Sequence, residues 1–71
     1  MTRPRRQHAG HHGDELLSIA DLAAYLGVPV ATIYRWRYQR QGPLGYRIGR
    51  HVRYRSSDIE HWLEKQRDAT N

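Results

Sequence analysis

The fold is decided by one stretch, Ile19-Ala20-Asp21-Leu22-Ala23-Ala24-Tyr25-Leu26-Gly27-Val28-Pro29-Val30-Ala31-Thr32-Ile33-Tyr34-Arg35-Trp36-Arg37-Tyr38. It reads as two short helices joined at Gly27-Val28-Pro29. In the first, Ile19, Leu22, Ala23 and Leu26 recur at helical spacing and form an inner face. Ser18 supplies the N-cap, and Asp21 places an acid at the positive helix end. Asp21 is shorter than the Glu of the usual capping box, which leaves the reciprocal bond to the Ser18 amide open. Gly27 stands where a left-handed residue ends a helix. Val28 then points inward, and Pro29 suits the first turn of a second helix running from Pro29 or Val30 to Tyr38.

The faces of that second helix carry the chemistry. With Ile33 inward, a rotation of about 100° per residue puts Trp36 beside it. The same rotation puts Ala31, Arg35 and Tyr38 on the opposite side, with Thr32, Tyr34 and Gln39 at the flanks. The outward face is therefore small, then cationic, then aromatic. A purely supporting helix would carry mixed acids and bases there. Small residues at the N-terminal end let a helix sink into the major groove of a duplex, where Arg35 reaches a base edge or a phosphate. The pair of helices is laid out as a helix-turn-helix.

Beyond it, residues 41–45 form a loop, and a period-2 pattern follows. Tyr46, Ile48, Val52 and Tyr54 fall on one face, and Arg47, Arg53 and Arg55 on the other. Keeping the four apolar residues together requires Ile48 opposite Val52 and Tyr46 opposite Tyr54, with a turn at 49–51. A two-residue turn would pair Ile48 with His51 and flip one strand. Arg50 sits at the tip. Because a lone hairpin is unstable, its apolar face is expected to lie against the helices.

A third helix is expected to start at Ser57, where Ser57-Asp58-Ile59-Glu60 reads as a capping box. Ile59, Trp62 and Leu63 give its apolar stripe. The expected core is Leu17, Ile19, Leu22, Leu26, Val28, Ile33, Trp36, Ile48, Val52, Tyr54, Ile59, Trp62 and Leu63, with Leu16 and Leu17 closing it from below. The expected class is mainly α with a small β-hairpin, a winged helix-turn-helix in the order α-α-β-β-α. Its expected limits are residues 14–68, between a basic disordered tail at 1–13 and a frayed end at 69–71.

The whole chain agrees with a binding module. Seventy-one residues allow a single small domain and little room for a pocket that engulfs a substrate. Twelve Lys+Arg against seven Asp+Glu give a formal charge of +5, and eleven of the twelve are arginine, whose planar fork fits phosphate and guanine edges. No acid lies between Asp21 and Asp58, a window that holds Arg35, Arg37, Arg40, Arg47, Arg50, Arg53 and Arg55. Such a separation produces one basic face, the footprint of nucleic-acid binding. There is no cysteine, so disulfides and thiolate zinc sites are excluded. His8, His11 and His12 invite a metal reading, but no cysteine or acid completes a site with them, and no metal or other cofactor is expected. Neither a signal peptide nor a membrane span is evident, and a cytoplasmic location is expected. No paired carboxylates, thiol or Ser-His-Asp set suggests catalysis, and His51 and His61 have no evident partners.

The order and identity of these pieces resemble a family. Leu26-Gly27-Val28-Pro29 with Thr32-Ile33-Tyr34-Arg35-Trp36 resembles the helix-turn-helix of excisionase-like proteins, a branch of the MerR-type winged-helix group. Tyr46-Arg47-Ile48-Gly49-Arg50-His51-Val52-Arg53-Tyr54 resembles their wing, and Ser57-Asp58-Ile59 with Trp62-Leu63 their closing helix. The likeness covers residues 16–66. One departure is Pro29, which stands where many such proteins have a capping Ser or Thr.

The resemblance implies a protein that binds duplex DNA, with the second helix in the major groove and the wing along the minor groove. As an excisionase it would bend attachment-site DNA and steer an integrase toward excision. The residues expected at DNA are Ala31, Thr32, Tyr34, Arg35, Tyr38, Arg47, Arg50, His51 and Arg53. Dimerising MerR proteins carry a coiled coil and an effector domain after the closing helix, and neither is expected here. An integrase partner and cooperative self-association on DNA are expected. The alternatives are a small MerR-like transcriptional regulator and, in another class, a protein-interaction adaptor using Tyr34, Tyr38 and Tyr46.

Overall fold

The computed structural model describes residues 14–68. Expectations for the tail at 1–13 and for the end at 69–71 lie outside the described residues. The elements are β1 (Leu16–Leu17), α1 (Ile19–Leu26), α2 (Val30–Tyr38), β2 (Tyr46–Ile48), β3 (His51–Arg55) and α3 (Ser56–Glu64). Helices α1 and α3 pack on the central strand of a small antiparallel sheet of order β1-β3-β2, and α2 packs on α1. This is a mainly α chain with a small β wing, compatible with a winged helix-turn-helix.

Helix α1 begins as its sequence indicates. The Ser18 hydroxyl accepts from the Asp21 amide at 3.0 Å, and the Asp21 carboxylate accepts from the Ser18 amide at 3.3 Å, so both halves of the box form. The helix stops at Gly27, whose φ of 72° is the left-handed conformation that glycine adopts without steric penalty. Pro29 is the N-cap of α2, with φ −65° and ψ 150° and no side-chain bond to the helix. Helix α2 thus starts at Val30, with only fixed backbone angles in place of a capping hydroxyl.

The core is built from Leu22 and Ala23 of α1, Ile33 of α2, Tyr54 of β3 and Ile59 of α3. Leu17, Ile19, Leu26, Val28, Trp36, Val52 and Leu63 pack around them. Trp62 is half-buried at the edge, its ring centroid 5.2 Å from that of Trp36. The Tyr25 hydroxyl donates to Glu60 at 2.6 Å, tying α1 to α3, and this bond to a carboxylate pushes the phenol pKa up.

Three expectations are corrected. First, Leu16 and Leu17 form a strand, with Leu16 opposite Arg55 and Leu17 opposite Tyr54, so the order is β-α-α-β-β-α. Leu17 closes the core as expected, but Leu16 is exposed. Second, the wing turn has two residues, not three: Ile48 faces His51, Arg47 faces Val52 and Tyr46 faces Arg53. Gly49 has φ 64° while Arg50 has negative φ, the pattern of a type II′ turn that favours glycine at its first central position. Cross-strand partners share a face, so Ile48 and Tyr46 leave the core and Arg47 joins the side of Val52. Ile48 is 50% exposed and Tyr46 40%. The turn geometry prevails because Gly49 takes the positive φ of the first central position at no steric cost, and the Arg55 guanidinium stacks 5.2 Å from the Tyr46 ring centre on the other side.

Third, α3 starts at Ser56 and its N-cap, Arg55, makes no side-chain cap bond. The cap comes from elsewhere in the chain. The Asp14 carboxylate accepts from the Ser57 amide at 3.2 Å and from the Ser56 hydroxyl at 3.5 Å, and pairs with Arg55 at 3.4 Å. Glu15 adds a backbone bond, its carbonyl accepting from the Ser56 amide at 2.8 Å.

Candidate nucleic-acid interface

Helix α2 presents the face that its periodicity gave. Ile33 is fully buried, Trp36 turns toward the core, and Ala31, Arg35 and Tyr38 are exposed. Tyr38, 90% exposed, stands clear of the domain. Thr32 is half-buried at the N-terminal end, and Tyr34 is exposed on the side facing the wing. The helix end toward Ala31 is narrow because Val30, Ala31 and Thr32 are small, so it can enter a groove about 12 Å wide. With no side-chain cap there, the positive end of the helix is left to whatever anion approaches it.

Between α2 and the wing lies a groove of about 430 Å³. It is lined by Tyr34 and Arg37 from α2, by Arg47, Arg50, His51, Val52 and Arg53 from the wing, and by Ser18, Ile19 and Ala20 at the start of α1. No carboxylate lines it. The arrangement follows from local structure. Helix periodicity aims Tyr34 and Arg37 toward the wing, and the two-residue turn thrusts Arg50 out at its tip. The changed register moves Arg47 onto the side of β2 that looks back toward the helices. One guanidinium nitrogen of Arg53 donates to the Val52 carbonyl at 2.8 Å, which fixes its stem and leaves its other N–H groups free for an anion.

Of the residues expected at DNA, Tyr34, Arg47, Arg50, His51 and Arg53 share this groove. Ala31, Thr32, Arg35 and Tyr38 do not line it; they belong to the neighbouring outer face of α2. The two sets form adjoining surfaces, one convex and one concave. Arg37, Ser18, Ile19 and Ala20 complete the groove and were not among the expected residues. Arg37 escapes the sequence reading because it sits only about 40° around the helix from Ile33, on the side assigned to the core. Arg55 does not join the groove, being held by Asp14 and Tyr46.

Among the described residues, no three His, Cys, Asp or Glu side chains gather as a metal ion would require. His8, His11 and His12 lie outside the described residues. Among the described residues no helix is long and apolar enough to cross a membrane.

A family model described as a helix-turn-helix domain matches residues 16–67. No curated protein shows significant similarity to the chain. The matched span takes in the turn, both helices around it, the wing and the closing helix, and on that basis the chain belongs to the helix-turn-helix domain family, a fold that implies binding to duplex DNA.

Proposed function

We propose that this protein binds duplex DNA sequence-specifically and acts as an excisionase, bending attachment-site DNA so that an integrase favours excision. The observation that carries the DNA reading is the acid-free groove of arginines beside the exposed face of α2. A DNA strand lying between a major groove filled by α2 and a minor groove followed by the wing presents its phosphates to that groove. In this reading Ala31, Thr32 and Arg35 face base edges, and Tyr34 and Tyr38 face the backbone. Arg50 enters the minor groove at the wing tip, where arginine reads groove width rather than a unique base code. Arg47, Arg53 and His51 face the flanking phosphates.

The excisionase role is supported by the resemblance of the turn, wing and closing helix to excisionase-like proteins. A single domain of this kind buries about 600–1,000 Å² of protein surface on DNA and binds modestly alone. Copies placed side by side on repeated sites would gain affinity from one another and impose a cumulative bend, in the cytoplasm of the cell that holds the element.

The test has two stages. Binding to a duplex from the element's own attachment region is compared with binding to a random duplex across a salt series, with bending read by circular permutation. Excision is then reconstituted with the cognate integrase. Specific, salt-dependent binding that leaves excision unchanged would favour a MerR-like transcriptional regulator. Absence of salt-dependent duplex binding would favour a protein-interaction adaptor.

A further inference from the structure

Arg37 is placed unusually for a surface cation. It is half-buried, on the flank of α2 nearest the core, yet it lines the groove between α2 and the wing. A Cβ built at Gly45 would lie 3.5 Å from an Arg37 guanidinium nitrogen and 2.9 Å from the Tyr54 ring. The bare backbone at Gly45 therefore lets the guanidinium settle against the root of the wing, beside the buried Tyr54. Among the described residues Arg37 makes no ion pair, and no carboxylate lines the groove around it. A guanidinium partly withdrawn from water without a partner carries a desolvation cost that an arriving anion offsets.

We infer that Arg37 is a phosphate-binding residue at the floor of the groove, gripping the backbone phosphate that passes between α2 and the wing. The inference rests on the duplex-DNA reading above. A phosphate is the fitting partner because Arg37 is set back from the outer face that Ala31, Arg35 and Tyr38 present to base edges. Its planar fork also matches two phosphate oxygens at once. Arg37 is rooted in α2 and rests against Gly45, just ahead of β2. A phosphate held there fixes the angle between the two reading elements, a task that the exposed Arg50 at the wing tip does not share.

The test compares wild type with Arg37→Gln on attachment-region and random duplexes. The variant is expected to lose about tenfold in affinity for both at about 0.1 M salt, and its salt slope is expected to shrink by about 0.9. Its preference between the two duplexes should persist. A structural role alone would lower the thermal midpoint and leave the salt slope unmoved. In wild-type protein, the Arg37 Nε–H resonance is expected to shift and gain exchange protection on saturation with duplex. A folded Arg37→Gln with an unchanged slope, or a wild-type Arg37 resonance that ignores saturating duplex, overturns the inference. The second readout decides even where the variant does not fold. A wild type without salt-dependent duplex binding overturns the underlying DNA reading, a failure distinct from the loss of Arg37's part in it.

Discussion

Arg35 and Arg50 carry the same charge from different elements, and their removal should read differently. Arg35 projects from the exposed face of α2 and Arg50 from the tip of a type II′ turn. Arg35→Ala is expected to cost about 1–3 kcal/mol on the cognate duplex and much less on random sequence, relaxing specificity. Arg50→Ala should weaken binding to both alike and reduce the salt slope by about 1. Parallel binding isotherms check this, and equal losses in the two variants would contradict the docking described above. Arg40 tells a different story. Its φ of 59° is left-handed, and it follows the end of α2 where the Gln41 amide donates to the Trp36 carbonyl at 2.7 Å. A residue with a Cβ costs about 1–2 kcal/mol in that conformation. Arg40→Gly should therefore raise stability by about 1 kcal/mol and the melting temperature by about 5 °C, read by circular dichroism. The position of Arg40 was not legible because the glycine that normally marks such a helix end is absent there, and Gly42 comes two residues later.

Among elements, legibility followed the range of the interactions that fix them. The span of α2 and its faces were readable, since a rotation of about 100° per residue acts within the helix itself. So was the Ser18 cap of α1, three residues from the Asp21 amide that it accepts from. The reciprocal bond from the Ser18 amide to the short Asp21 carboxylate was open in the sequence and forms in the structure. The wing register was not readable, because four apolar residues on even positions looked like one buried face, whereas Gly49, at φ 64°, sets a two-residue turn that pairs Ile48 with His51. Least legible was the start of α3, capped by Asp14 from 43 residues away. That clasp makes an acid-range prediction. Burial works to raise the Asp14 pKa, but bonds from Ser57 and Ser56 and the charge of Arg55 outweigh it and hold the carboxyl below its ordinary 3.8. A depressed carboxylate stabilises the fold fully above its unfolded value and loses that contribution as pH falls through the lower folded value. Asp14→Asn should thus melt below wild type by a constant margin from about pH 7 to about pH 5, and the gap should close below about pH 4. Melting curves across pH test this, and a gap that widens in acid would contradict it.

At the scale of the whole molecule, the separation of charge along the sequence becomes a separation in space, but not an even one. Of the wing arginines, Arg47, Arg50 and Arg53 line the groove with Arg37, whereas Arg55 is committed to Asp14 at 3.4 Å and to the face of Tyr46. Net charge alone would count them all equally; the structure does not. Each phosphate neutralised by a protein cation releases condensed counterions and contributes about −0.9 to the slope of log K against log salt. The groove arginines together are therefore expected to give a slope near −4 on random duplex, where base contacts contribute least. Arg47→Gln should lower its magnitude by about 1, and Arg55→Gln should leave it unchanged while lowering the melting temperature through loss of the Asp14 pair. Fluorescence anisotropy at several salt concentrations measures all three slopes. Equal effects from Arg47 and Arg55 would mean that overall positive charge, rather than the groove, draws the duplex. An effect confined to Arg47 would identify the register of the wing, set by Gly49 and Arg50, as what decides which arginines meet DNA.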